Sequence, residues 1–194
     1  MNRLKREDLY TLEEYAQMRS QFRARVMEHK KHRQVQVGPH ARLFFEDRLT
    51  MHYQVQEMLR AERIFERDGI DGELDAYNPL IPDGTNWKAT LMIEYEDAQE
   101  RRQNLTRMVG IEGRVWVKVD GFEQVWAIAD EDLERDTADK TSSVHFLRFE
   151  LTRPMVQAVK DGAVISIGVN HEVYEHKVDQ VAQPVRESLA QDLA

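Results

Sequence analysis

The residues able to do chemistry in this sequence are carboxylates, histidines and arginines, and they fall into three groups. The first is Glu57, Arg60, Glu62 and Arg63, all within a predicted helix over residues 50–66. At about 100° per residue, Met51, Val55, Met58, Glu62 and Phe65 share one face, which places Glu62 inside an apolar stripe. A carboxylate in that position must be paired, protonated or bound to a metal, because burying it bare is too costly. The second group is His145 and Arg148, on a predicted strand over 142–151. Period-two alternation puts His145 with Leu147, Phe149 and Leu151, and Arg148 with Val144 and Phe146. A permanent cation among apolar neighbours wants a carboxylate, and Glu62 is the expected partner. On that expectation Glu62→Gln destabilises by a few kcal/mol. Together these six residues are the candidate ligand-binding or buried polar site.

The third group is the string His171-Glu172-Val173-Tyr174-Glu175-His176. It offers His171, Glu172, Glu175 and His176 as metal ligands of the kind that suits iron, manganese or zinc, with Glu62 or His145 as a further donor. Its spacing is neither H-E-x-x-H nor H-x-x-E-H. Two histidines five apart point about 140° away from each other on a helix, so the plain reading is surface polarity after a strand. No phosphate loop, dinucleotide fingerprint or nucleophile elbow is present, and the sequence names no cofactor.

The elements that must position these groups read as follows. Thr11 and Glu14 form a capping box ahead of a helix through His29, with Ser20 as a candidate break. Arg23, Arg25, His29, Lys30, Lys31, His32 and Arg33 make a basic patch, read as a solvated face at the helix C-terminus. Short strands are expected at 34–37 and 42–45, with Gly38-Pro39 turning between them. Thr50 is the expected cap of helix 50–66, and Gly69 and Gly72 are expected to end the helical region. The stretch AYNPLIPDG (76–84) is a stiff two-proline loop, read either as a structural clamp or as a pocket wall. Strand 88–95, helix 98–108 and a hairpin of 114–119 with 124–129 follow. Residues 130–139 are acidic and read as a turn or two of helix plus loop. Then come strand 142–151, helix 153–160 and strand 163–169, the last with a small second face at Ser166 and Gly168 that allows close approach by a helix or a ligand. This pattern predicts a single α+β domain over 1–194, a largely antiparallel sheet packed by several helices, with 1–10 and 180–194 peripheral.

Composition narrows the function classes. With 35 acidic against 27 basic residues the chain carries a net charge of -8, a poor match to nucleic acid or anionic membrane. The absence of cysteine excludes thiol redox chemistry and thiolate-held clusters or zinc within this chain. No apolar run is long enough to span a bilayer, and MNRLKRED opens no secretory signal, so a cytoplasmic location is expected.

The segments LFFEDR (43–48), QEMLRAER (56–63), AYNPLIPDG (76–84) and VHFLRF (144–149) resemble a bacterial family catalogued as domain of unknown function 3501. The resemblance spans nearly the whole chain. It implies genomic company with rubrerythrin-like proteins and iron–sulfur oxidoreductases, and hence redox or oxidative-stress work. Without cysteines, the chain would assist such a system rather than hold a cluster by thiolates. The leading expectation is therefore a ligand-binding or accessory protein of a redox system. The alternatives are an enzyme with a His/carboxylate metal site and an oligomeric interaction scaffold in which the basic helix docks an acidic partner.

Overall fold

The computed structural model describes residues 3–129 and 140–194; the acidic stretch 130–139 lies outside the described residues. Thr11 caps helix α1 (Leu12–Lys30) with the expected capping box, and α1 runs through Ser20 unbroken. Strands β1 (Gln34–Val37) and β2 (Ala41–Glu46) form the first hairpin. Helix α2 (Arg48–Glu62) starts two residues earlier than the sequence suggests. Asp47 is its cap, accepting from the Thr50 N–H, while Thr50 Oγ1 accepts from the Asp47 N–H.

Helix α2 also stops sooner, at Arg63, which takes the left-handed conformation with φ 56°. Gly69 and Gly72 then lie inside a further helix, α3 (Arg67–Tyr77), instead of ending the helical region. Each glycine costs about 1 kcal/mol of helix propensity, but the apolar face of Ile70, Leu74 and Tyr77 outweighs it by packing on α2. A Cβ at Gly69 would come within 2.7 Å of the Ile64 side chain, so the tight α2–α3 corner needs the glycine.

Two antiparallel sheets form the body. The first has the order β1-β2-β3-β7-β6, with β3 (Asn86–Ile93), β7 (Val144–Glu150) and β6 (Ile128–Ala129). The second has the order β5-β4-β8-β9, with β4 (Val115–Val119), β5 (Val125–Trp126), β8 (Ile165–His171) and β9 (Tyr174–Val178). Alternation sends Leu43, Phe45, Trp87, Leu91, Leu147 and Phe149 from one sheet, and Val115, Val117, Ile165 and Ile167 from the other, into one shared core. The expected second hairpin forms only in part. Trp116 pairs with Trp126, but at Ala127 the chain leaves the second sheet, and Ile128 and Ala129 join β7 in the first. What approaches the small face of β8 is neither a helix nor a ligand but a side chain of the neighbouring strand: the Trp116 ring lies against Gly168, where an added Cβ would sit 2.3 Å from it.

Helix α4 (Ala98–Arg107) follows β3, and α5 (Arg153–Lys160) and α6 (Gln183–Ala190) pack into the shared core through Met155, Val159, Val185 and Leu189. The chain ends are not peripheral. Leu4 is buried against α2 and α3, and Val181, Leu189 and Leu193 are core residues. Both ends carry a few widely spaced apolar residues that the surrounding polar ones mask in the sequence. Among the described residues, no helix is long and apolar enough to cross a membrane.

Candidate functional site

The structure separates the six candidate site residues. Glu62 is exposed in the last turn of α2. The buried stripe of that helix is Met51, Val55 and Leu59, and Phe65, past the helix end, is 73% exposed. Arg60 and Arg63 share that exposure. Glu57 faces α1, where it accepts from Tyr15 Oη (2.6 Å) and from Arg19 Nε and Nη2 (2.8 and 2.7 Å). The Arg19 hydrogen bond, with that of Tyr15, holds the Glu57 carboxyl down at about 2 against the opposing effect of burial.

His145 and Arg148 lie on opposite faces of β7, as alternation requires. His145 points into the shared core, its Nε2 2.9 Å from Thr141 Oγ1 and 3.0 Å from the Ser142 carbonyl. Arg148 lies on the outer face and pairs with Glu150, two residues along the same strand, rather than with Glu62.

That outer face carries the most developed polar arrangement. Strand register sets Glu46, Lys88 and Arg148 in a row across β2, β3 and β7, and Asn86 beside Glu150. Glu46 is buried and accepts from Thr50 Oγ1 and Thr90 Oγ1, both at 2.7 Å. At the edge of this row the loop 78–84 folds over to enclose a cleft of about 310 Å³. Arg3, Lys88, Arg148 and Glu150 line it, together with Asn78 and the two prolines of the loop. Pro79 and Pro82 fix the backbone of this wall.

Asn78 bonds the Leu4 N–H (2.8 Å) and the Leu4 carbonyl (3.0 Å), which sets Arg3 at the rim. Asn86 ties the wall to the floor, accepting from the Asp83 N–H (3.2 Å) and donating to Glu150 Oε1 (3.1 Å). Burial alone would raise the Asp83 carboxyl, but hydrogen bonds from Thr85 and Asn86 hold it below the usual carboxylate range. The loop is thus both clamp and pocket wall. Its three cations, carried by three separate parts of the chain, stand against the two carboxylates of Asp83 and Glu150, an excess of one positive charge that suits an anionic group.

The string 171–176 forms the β8–β9 hairpin rather than a helix. Both ring nitrogens of His171 are engaged: Nε2 donates to the Val109 carbonyl (3.1 Å) and Nδ1 accepts from the Val173 N–H (3.4 Å). His176 packs against Tyr174 and Gly38. Glu172 and Glu175 are exposed beside an open cleft that includes Arg114. Among the described residues, no group of three or more His, Cys, Asp or Glu is placed to hold a metal ion.

Sequence reasoning missed the most deeply buried charge. Arg33, counted above in a solvated basic patch, is only 2% exposed. It lies just past α1, where the turn into β1 aims its side chain inward. Its fork donates to the carbonyls of Phe45 (2.9 Å), Glu46 (3.1 Å) and Ser188 (3.3 Å), to Ser188 Oγ (3.1 Å) and to Asp192 Oδ2 (2.6 Å). His52 is a second such residue, buried in α2 and stacked on Tyr10. Burial, helped by nearby Arg48, pushes its imidazole below the usual range. The polar neighbours in sequence gave no periodic signal for either.

The family model described as "Protein of unknown function (DUF3501)" matches residues 3–193. A crystal structure of a novel protein of unknown function from Burkholderia pseudomallei K96243 is similar, at 56% identity over 98% of this chain and 99% of that one, with a TM-score of 0.94. No curated protein matches. With almost its whole length under the family model, this chain belongs to the DUF3501 family of proteins of unknown function.

Proposed function

We propose that the protein is a binding or accessory protein of a redox system, and that it engages an anionic group in the cleft between loop 78–84 and the outer face of the first sheet. The observation that carries this is the convergence of Arg3, Lys88 and Arg148, outnumbering the carboxylates of Asp83 and Glu150, on one proline-walled cleft in a chain of net charge -8. A rigid wall lowers the ordering cost of binding, and guanidinium groups are suited to carboxylate or phosphate oxygens. The family resemblance supplies the redox half of the reading, with rubrerythrin-like proteins and iron–sulfur oxidoreductases as the company to test.

Titration calorimetry with inorganic phosphate and with a small dicarboxylate tests the cleft. Binding that weakens about tenfold or more in Arg148→Ala is expected, the loss of one charge-assisted contact. Absence of heat with both anions at millimolar concentration removes the ligand reading. The accessory reading fails separately, if the immobilised protein retains neither kind of redox protein.

A further inference from the structure

A second polar assembly lies away from the cleft, around the buried guanidinium of Arg33. Its Nη2 is 2.6 Å from Asp192 Oδ2, and its Nε is 3.4 Å from Asp47 Oδ2. Asp47 Oδ2 is in turn 2.5 Å from His29 Nε2. The chain His29–Asp47–Arg33–Asp192 therefore joins the end of α1, the turn before β1, the cap of α2 and the turn after α6. Its fixed charges are one cation and two carboxylates, so it is neutral only with one added proton, on His29 or on a carboxylate. A buried excess of negative charge is costly, and the cost falls on the group least able to reach water.

That group is Asp192. Its side chain is 7% exposed, against 16% for Asp47 and 29% for His29. Asp47 has the Thr50 N–H and His29 besides Arg33, whereas among the described residues Asp192 is ion-paired with Arg33 alone. The other buried acid nearby, Glu46, turns its carboxylate to Thr50 and Thr90. Asp192 belongs to the short C-terminal turn 191–194. This turn is seated by Leu193 in the core and by the Ala194 N–H on the Gly84 carbonyl (2.9 Å). Detaching so short a segment would hydrate Asp192 without opening the sheets.

We infer that the C-terminal turn is a proton-controlled latch, seated when the His29–Asp47–Arg33–Asp192 cluster carries its proton and loosened when that proton leaves. Burial, against the pull of Arg33, pushes the Asp192 carboxyl up to about 6, while Asp47 stays below the usual range because Arg33, Thr50 and His29 together outweigh its burial. The seated turn therefore binds more protons than the detached one between the ordinary aspartate value and about 6. Seating is strongest on the acid side and weakens as pH rises through that window.

Amide solvent exchange at Leu193 and Ala194, corrected for intrinsic base catalysis, reads the latch. In the wild type, protection should fall about tenfold or more from pH 5 to pH 7.5. Asp192→Asn removes the titrating group and should show flat protection across the same range. His29→Gln removes the imidazole held by Asp47 and should shift the wild-type midpoint while keeping the transition, which gives a second reading if Asp192→Asn folds poorly. Protection that is flat in the wild type, or that falls equally in Asp192→Asn, overturns the inference.

Discussion

Replacing Arg33 by Met removes one buried cation and strands what it holds. Asp192 loses its ionic partner at 7% exposure, and the carbonyls of Phe45 and Glu46 lose donors inside the fold. Breaking a buried pair by removing one member costs about 3–5 kcal/mol, and the carbonyls keep the estimate in the upper half of that range. With a urea m-value of about 2–3 kcal/mol/M for a chain of this size, the midpoint should drop by roughly 1–2 M. The pH dependence adds a signature. Without the guanidinium, the Asp192 carboxyl should rise still further, because only burial then acts on it. The folded variant will hold that proton more tightly than its unfolded chain, so its deficit should shrink as pH falls from about 8 to about 5. A double variant with Asp192→Leu should recover part of the loss, since two apolar groups replace an uncompensated charge. A midpoint within about 0.3 M of wild type at neutral pH would refute the reasoning, since so small a shift means the fork is not holding these groups together.

Three further outcomes are expected. Glu62→Gln should change stability by less than about 0.5 kcal/mol in denaturant melts, because the carboxylate faces water. Glu57→Gln should flatten the acid limb of the stability profile. The wild-type carboxyl sits at about 2 in the fold, so its contribution is complete above its ordinary value near 4.5 and disappears as pH falls through about 2; after screening at this part-exposed site it amounts to about 1 kcal/mol. Tyr174→Phe should lower stability by about 2 kcal/mol in the same melts, since the hydroxyl donates to the Val37 carbonyl and accepts from the His40 and Ala41 N–H groups at the turn of the first hairpin.

Local signals in the sequence were sufficient where side-chain chemistry and backbone geometry agree. The Thr11 capping box, the faces of β7 and the bounds of α5 at 153–160 are all visible in residue spacing. The error at Glu62 has a definite cause. Helical periodicity was extended past the true end of α2, and nothing local marks Arg63 as a left-handed terminator, a role that glycine usually fills. Met58 and Glu62 were then grouped on the buried face where Leu59 belongs. The cleft was half legible: the stiff proline loop and the cation on β7 both stood out, but Lys88 and Arg3 join them only through strand register and the Asn78 clamp on Leu4. Arg33 was hidden because a basic run looks the same whether its last member faces solvent or turns inward.

The distance along the chain between Arg33 and its anchors carries a consequence for biosynthesis. Ser188 and Asp192 lie 155 and 159 residues downstream. While the ribosome is still working, the first hairpin must wait with an inward-facing guanidinium that has Asp47 and the Phe45 and Glu46 carbonyls but not its downstream partners. Closure of so large a loop is entropically slow, and it can begin only after residues 188–192 have been made. Nascent chains should therefore remain chaperone clients until residues 188–192 emerge, and removing residues 191–194 should harm folding of the region synthesised first.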